Sequence, residues 1–227
     1  MSKLRVKEIA HSNGTNATTI NSSGTVTFSN SPVGVGMTHI ASATATTAAI
    51  DAFHINGCFS ADYDYYKIFY RVNRPGTDGS ILSCQFGNGG TLITSGVAVR
   101  GCQNYSRLVS GGDGQQNYYS TSGVHQIAGS LAGVANEHFT GELTILNPFS
   151  STIPTAVKNT CIMYQIALGE TAKWSEEGAS SEDIGDATSA TDFRINLVAG
   201  NPSGSDIAST ATFGAVNGNI TVFGLKT

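Results

Sequence analysis

Short runs of alternating apolar and polar residues fill this chain, and each run stops at a cluster of Gly, Asn, Asp, Ser or Pro. The clearest run covers residues 62–73 (DYDYYKIFYRVN). Tyr66, Ile68, Tyr70 and Val72 fall on one face, and Lys67, Phe69, Arg71 and Asn73 on the other. A period of two is the mark of a half-buried antiparallel strand. The turn Pro75-Gly76-Thr77-Asp78-Gly79 reverses the chain. Residues 80–87 run back, Asn88-Gly89-Gly90 turns again, and residues 92–100 continue. Further strands are expected at residues 138–149, closed by Asn147-Pro148, and at 161–169, with Ile162, Tyr164, Ile166 and Leu168 on one face. Phe193, Ile195 and Leu197 alternate in another, and residues 217–227 form a last hairpin return.

The opening is thinner. Residues 4–28 read strand, Asn13-Gly14 turn, strand, Ser22-Ser23-Gly24 turn, strand. Asn-Gly is a strong hairpin signal because both residues tolerate positive φ. Leu4, Val6, Ile9, Ile20, Val26 and Phe28 are its apolar positions. So slight a ribbon has no core of its own and is stable only when paired with something else. Residues 1–30 are therefore expected to be a docking or trimerisation arm. Residues 31–50, small and uncharged, are read as a linker, and residues 51–227 as the globular domain. Eight to ten strands at regular spacing predict an all-β fold, a jelly-roll-like β-sandwich with an extended N-terminal arm. Between them, residues 101–131 read as loop-rich, and residues 173–192 as an acidic flexible loop.

Composition supports this picture. Charged residues make up 12% of the 227, against roughly 25% in ordinary domains, and Gly numbers 27. Turn-formers and hydroxyl residues replace the Glu, Lys, Arg and Leu of helices. The net charge of −4 and the lack of a basic stripe argue against nucleic acid as a partner. No apolar run reaches the roughly 18 residues of a membrane span. Residues 1–10 carry basic residues without an apolar stretch behind them, so a secretory signal is not expected.

Candidate chemistry is sparse. Cys58, Cys84, Cys102 and Cys161 are widely and irregularly spaced, which suits buried thiols better than zinc, with a disulfide left open. The five histidines are scattered, and Glu137-His138 lies in no H-E-x-x-H frame. No G-x-S-x-G elbow is present. Asp62 and Asp64 lie ~6–7 Å apart by strand rise, a spacing shared by glycosidase pairs and by ordinary strand edges. No catalytic residue, metal ligand or cofactor is therefore assigned. Candidate surface contacts are Tyr118 and Tyr119, set among Ser, Gly and Asn as in adaptable binding loops, unless they simply pack their loop. Trp174 is either a packing anchor or a sugar platform, and Glu176 and Glu177 begin the acidic loop behind it.

The two ends carry a resemblance. The opening Ser2-Lys3-Leu4, Val6, Ile9, Asn13-Gly14-Thr15, Thr19-Ile20 and Ser22-Ser23-Gly24-Thr25-Val26-Thr27-Phe28 resembles the start of tail-fibre and virion decoration proteins of tailed bacteriophages, marine and cyanobacterial phages especially. The centre at residues 57–72 and the end at Gly218, Ile220, Val222 and Gly224-Leu225-Lys226 are similar to the same group. The resemblance implies a non-enzymatic virion structural protein, made in the host cytoplasm and resident in the virion. It implies a homotrimer that meets other tail or capsid proteins through its arm. A short fibre or knob touching a host surface glycan or protein is one form. A capsid or tail decoration that braces its neighbours is the other. At 227 residues no long shaft is expected.

Overall fold

Strands form here because β-branched and aromatic residues alternate with small polar ones, a pattern that suits a pleated surface with one face covered. The computed structural model describes residues 8–10, 16–20, 26–28, 36–45, 52–73, 80–107, 114–131, 138–165, 172–183, 187, 189–199, 209–211 and 218–225. These hold seventeen strands and no helix. They are β1 (Glu8–Ala10), β2 (Asn16–Ile20), β3 (Val26–Phe28), β4 (Met37–Ala45), β5 (Ala52–Ile55) and β6 (Tyr65–Asn73). Next come β7 (Ser80–Asn88), β8 (Thr91–Leu92), β9 (Val99–Arg107), β10 (Gly114–Ser120), β11 (His125–Leu131) and β12 (His138–Leu146). The rest are β13 (Ala156–Gln165), β14 (Ala172–Glu182), β15 (Asp192–Ala199), β16 (Ser209–Ala211) and β17 (Gly218–Leu225).

The chain divides into residues 1–36 and residues 37–227. In the first unit β1, β2 and β3 form an antiparallel sheet of their own. Ile9 faces Thr18, Thr18 also faces Phe28, and Ile20 faces Val26. Leu4, Val6 and both predicted turns lie outside the described residues.

The second unit is an all-β, jelly-roll-like sandwich. One sheet has eight strands in the order β10-β9-β14-β13-β12-β6-β17-β4. The other runs β11-β7-β15-β16, with β5 added to β15 and β8 to β7. All pairings between named strands are antiparallel. The core lies between the sheets, where Tyr66, Ile68, Val72, Leu143, Ile145, Ile220 and Val222 of the larger sheet meet Leu82, Ile127, Phe193, Ile195 and Leu197 of the smaller. Each such side chain contributes ~1.5–3 kcal/mol on burial. Phe59 fastens one end, edge-on to Tyr66 at 4.7 Å and to Phe193 at 6.2 Å. The Asn147-Pro148 turn closes β12 as expected: Asn147 takes φ of 54°, a conformation Asn tolerates, and its N–H donates to the Asp64 carbonyl at 2.9 Å.

Several expectations are corrected. The residues read as a linker, 31–50, include β4, which pairs along its length with β17. The loop-rich middle contains β9, β10 and β11, and the first half of the supposed acidic loop is β14, held between β13 and β9. Strand β4 was missed because its residues are small, with Ala41, Ala43 and Ala45 packed against the core; the other strands share a different reason. These strands face a polar interior, where Gln103, Gln126, His125, Asn159 and Ser180 are buried, so hydropathy does not alternate along them. Ile162 is not part of the core face. It points outward and is 54% exposed, while Val157, Asn159 and Cys161 point in.

Candidate functional site

The outer face of the eight-stranded sheet holds the candidate site. Strands β12, β13, β14, β9 and β10 lie side by side and their register aligns residues in rows across them. Leu146 is opposite Ala156, Ala156 opposite Ser181, Ser181 opposite Arg100, and Arg100 opposite Tyr119. Two residues along, Thr144, Lys158, Ala179, Cys102 and Asn117 form a parallel row. Along β14, the middle strand of the five, the outward side chains Ala179 and Ser181 are small, and Ala156 and Cys102 beside them are small too. The sheet surface therefore sinks into a trough of about 850 Å³. Leu146 and Lys158 stand on one side of it, and Arg100, Tyr119 and Asn117 on the other.

The far wall is held in place. Arg100 Nε donates to both carboxylate oxygens of Asp183, at 2.9 and 3.1 Å. Its guanidinium carbon lies 4.8 Å from the centre of the Tyr119 ring, a cation–π contact. The carboxylate beside it holds the Arg100 guanidinium above its ordinary pKa. On the same sheet face, two strands beyond Lys158, Lys67 is engaged with Glu142 at 2.8 Å.

Beneath the trough lies the polar layer. Tyr118 points inward, and its hydroxyl accepts the Gln126 N–H at 3.1 Å and donates to the Gln126 carbonyl at 3.4 Å. Burial pushes that phenol well above its ordinary pKa. Gln126 Nε2 donates to Gln103 Oε1 at 2.7 Å, and Asn159 Nδ2 to the Ile127 carbonyl at 2.7 Å. His125 Nδ1 meets the Ser180 hydroxyl at 2.8 Å, and its ring stands edge-on to Phe86 at 5.2 Å. Burial drives the His125 pKa down to about 3, so the imidazole is neutral at physiological pH. Its Nε2 has no partner. Gly101 is required here by space: a Cβ on it would lie 2.3 Å from the Tyr118 ring.

The sequence-predicted contacts are sorted by strand parity. Tyr119 is 36% exposed on the outer face, whereas Tyr118 is 6% exposed and belongs to the interior, so its assignment as a surface contact is corrected. Glu177 is exposed on β14. Trp174 and Glu176 occupy β14 positions opposite Met163 and Cys161, and their side chains lie outside the described set. Sequence reading missed Arg100, Lys158 and Asn117. The available signal was slight: Lys158 is the one cation of β13, and Arg100 is one of two in β9.

Other candidates stay apart from the trough. Asp62 is hydrogen-bonded to Ser60, and the Asp64 carbonyl caps the Asn147 turn. Among the described residues no cluster of His, Cys, Asp and Glu could hold a metal. The four thiols are free, with Cys58, Cys84 and Cys161 buried. Burial pushes the Cys58 thiol up to about 12 and Cys84 higher still, which makes both poor nucleophiles. Near β8, Asp192 accepts the Gly57 N–H at 2.8 Å, the Gly90 N–H, and the Thr191 hydroxyl at 2.9 Å. Burial raises its pKa, but these donors and nearby His54 outweigh that and hold the carboxyl below its usual value.

No family model matches the chain, and no curated protein matches it. Among solved structures, the marine PL-14 alginate lyase from Aplysia kurodai is similar at a TM-score of 0.37 and 10% identity, over 84% of this chain and 100% of that one. A likeness this distant says nothing of activity.

Proposed function

We propose that this chain is a structural protein of a tailed-phage particle: a short knob, joined to the particle by residues 1–36, whose sandwich touches the host surface. The observation that carries the binding half of this reading is the trough. It combines an aromatic wall, two cations, an amide and hydroxyls over a floor of small residues, and its lining holds no carboxylate and no imidazole. That set suits holding a polar ligand better than acid–base chemistry on one. The attachment half rests on the ribbon β1-β2-β3, a sheet whose strands run only three to five residues. Its outer strands offer edges for strand addition by sister chains or by another particle protein. Three copies joined there would multiply weak knob contacts by avidity.

Competition with particle adsorption tests this reading. Purified full-length protein added to host cells is expected to reduce infection. No competition, together with particles that become labile when the protein is deleted, would instead assign it to capsid or tail decoration. Cleavage of host polysaccharide by the purified protein would overturn the non-enzymatic assignment.

A further inference from the structure

We propose that the trough binds an anionic glycan chain, with Lys158 and Arg100 taking its acid groups and Tyr119 supporting a sugar face. The inference rests on the sandwich being a binding knob and needs nothing of the arm. Five strands at about 4.8 Å spacing make the trough ~19 Å long across the sheet, the span of a short oligosaccharide rather than a single ring. The floor of Ala156, Ala179, Ser181 and Cys102 lets a flat ring approach the backbone closely.

Charge decides the ligand class. The whole chain carries −4, yet the trough lining contains two cations and no carboxylate. Among the described residues Lys158 forms no ion pair, in contrast to Lys67 on the same face, which is bound to Glu142. Its ammonium is thus the group with a vacant electrostatic role. Arg100 is fixed by Asp183 and by the Tyr119 ring, but its side chain is still 68% exposed. A pre-set cation of this kind loses little freedom when it meets an acid group. Arg100 covers one face of Tyr119, which remains 36% exposed for stacking. Asn117 and Ser181 supply hydrogen bonds to ring hydroxyls from the same two rows. Two cations are too few to follow a nucleic-acid backbone, whose binding comes from many phosphate contacts.

Affinity electrophoresis of the full-length protein tests this, in gels containing polygalacturonate (carboxylated), dextran sulfate (sulfated) or dextran (neutral). Retardation is expected with one or both anionic chains and not with dextran. Which of the two retards more identifies the acid group. General attraction cannot produce this result, because a protein of net −4 is repelled by a polyanion. Lys158→Gln is expected to weaken retardation about tenfold or more, the worth of a charge-assisted hydrogen bond. Lys158→Arg should retain most of it. Lys67→Gln makes the same charge change on the same face and should leave it unchanged. Equal retardation by dextran, equal loss in the Lys158 and Lys67 variants, or no retardation by either polyanion would each overturn the proposal. Retardation by dextran alone removes the anionic class but leaves a glycan-binding knob. Failure to compete for cells removes the knob reading itself.

Discussion

Adjacent residues in a strand can have opposite fates, and Tyr118 and Tyr119 show it. They are chemically identical, yet one packs over Gly101 in the polar layer and the other walls the trough. Gly101→Ala would put a methyl into the Tyr118 ring, and the overpacking is expected to cost ~1–3 kcal/mol in urea unfolding. Tyr119→Ala, on the outer face, is expected to stay within ~0.5 kcal/mol of the parent. Equal losses would mean that the parity assigned to β10 is wrong. His125 makes a prediction about acid. Its folded pKa of about 3 lies below the ordinary imidazole value of 6.5. The unfolded chain therefore binds the extra proton first. The contribution of the neutral imidazole is fully present above pH 6.5 and is lost progressively as pH drops toward 3. Denaturant titrations at a series of pH values measure the slope, and His125→Gln should flatten it.

At the scale of elements, legibility followed the chemistry of the interior. Strand β6 was readable because Tyr66, Ile68, Tyr70 and Val72 all enter an apolar core, and so was β15 through Phe193, Ile195 and Leu197. Strands β9, β10 and β14 were not, because Gln103, Ser120, Ser180 and Glu182 are buried among polar partners and mimic loop composition. The trough lies on these same strands. Its residues come from separate segments joined only by register, so the sequence revealed Tyr119 but not its meeting with Arg100 and Lys158 across the sheet. Glu182 illustrates the local logic: its carboxylate accepts the Thr155 N–H at 2.9 Å, and its own N–H donates to the Thr155 carbonyl at 3.0 Å, fastening the end of β14 to the start of β13. Asp192 performs a comparable service at the head of β15. Asp192→Ala would take the carboxylate acceptor from the Gly57 and Gly90 N–H groups and leave them to water, at ~0.5–1.5 kcal/mol for each hydrogen bond lost. Hydrogen exchange at those two amides should rise well before the core strands open. Protection unchanged from the parent would contradict the anchoring role.

For the whole molecule, the sandwich carries its own core and the arm does not need to supply one. A protein beginning at Met37 is therefore expected to unfold cooperatively, with a Tm close to that of the full chain under conditions where both are monomeric. If it precipitated or lost its β circular dichroism, the sandwich would depend on residues 1–36. The arm's role is association: short strands with open edges gain stability when other chains complete them. Light scattering of the full-length protein beside the Met37–Thr227 protein measures this directly. The expected result is a trimer, three times the chain mass of 23.5 kDa, for the full chain and a monomer for the shortened one. A full-length protein that runs as a monodisperse monomer would contradict it.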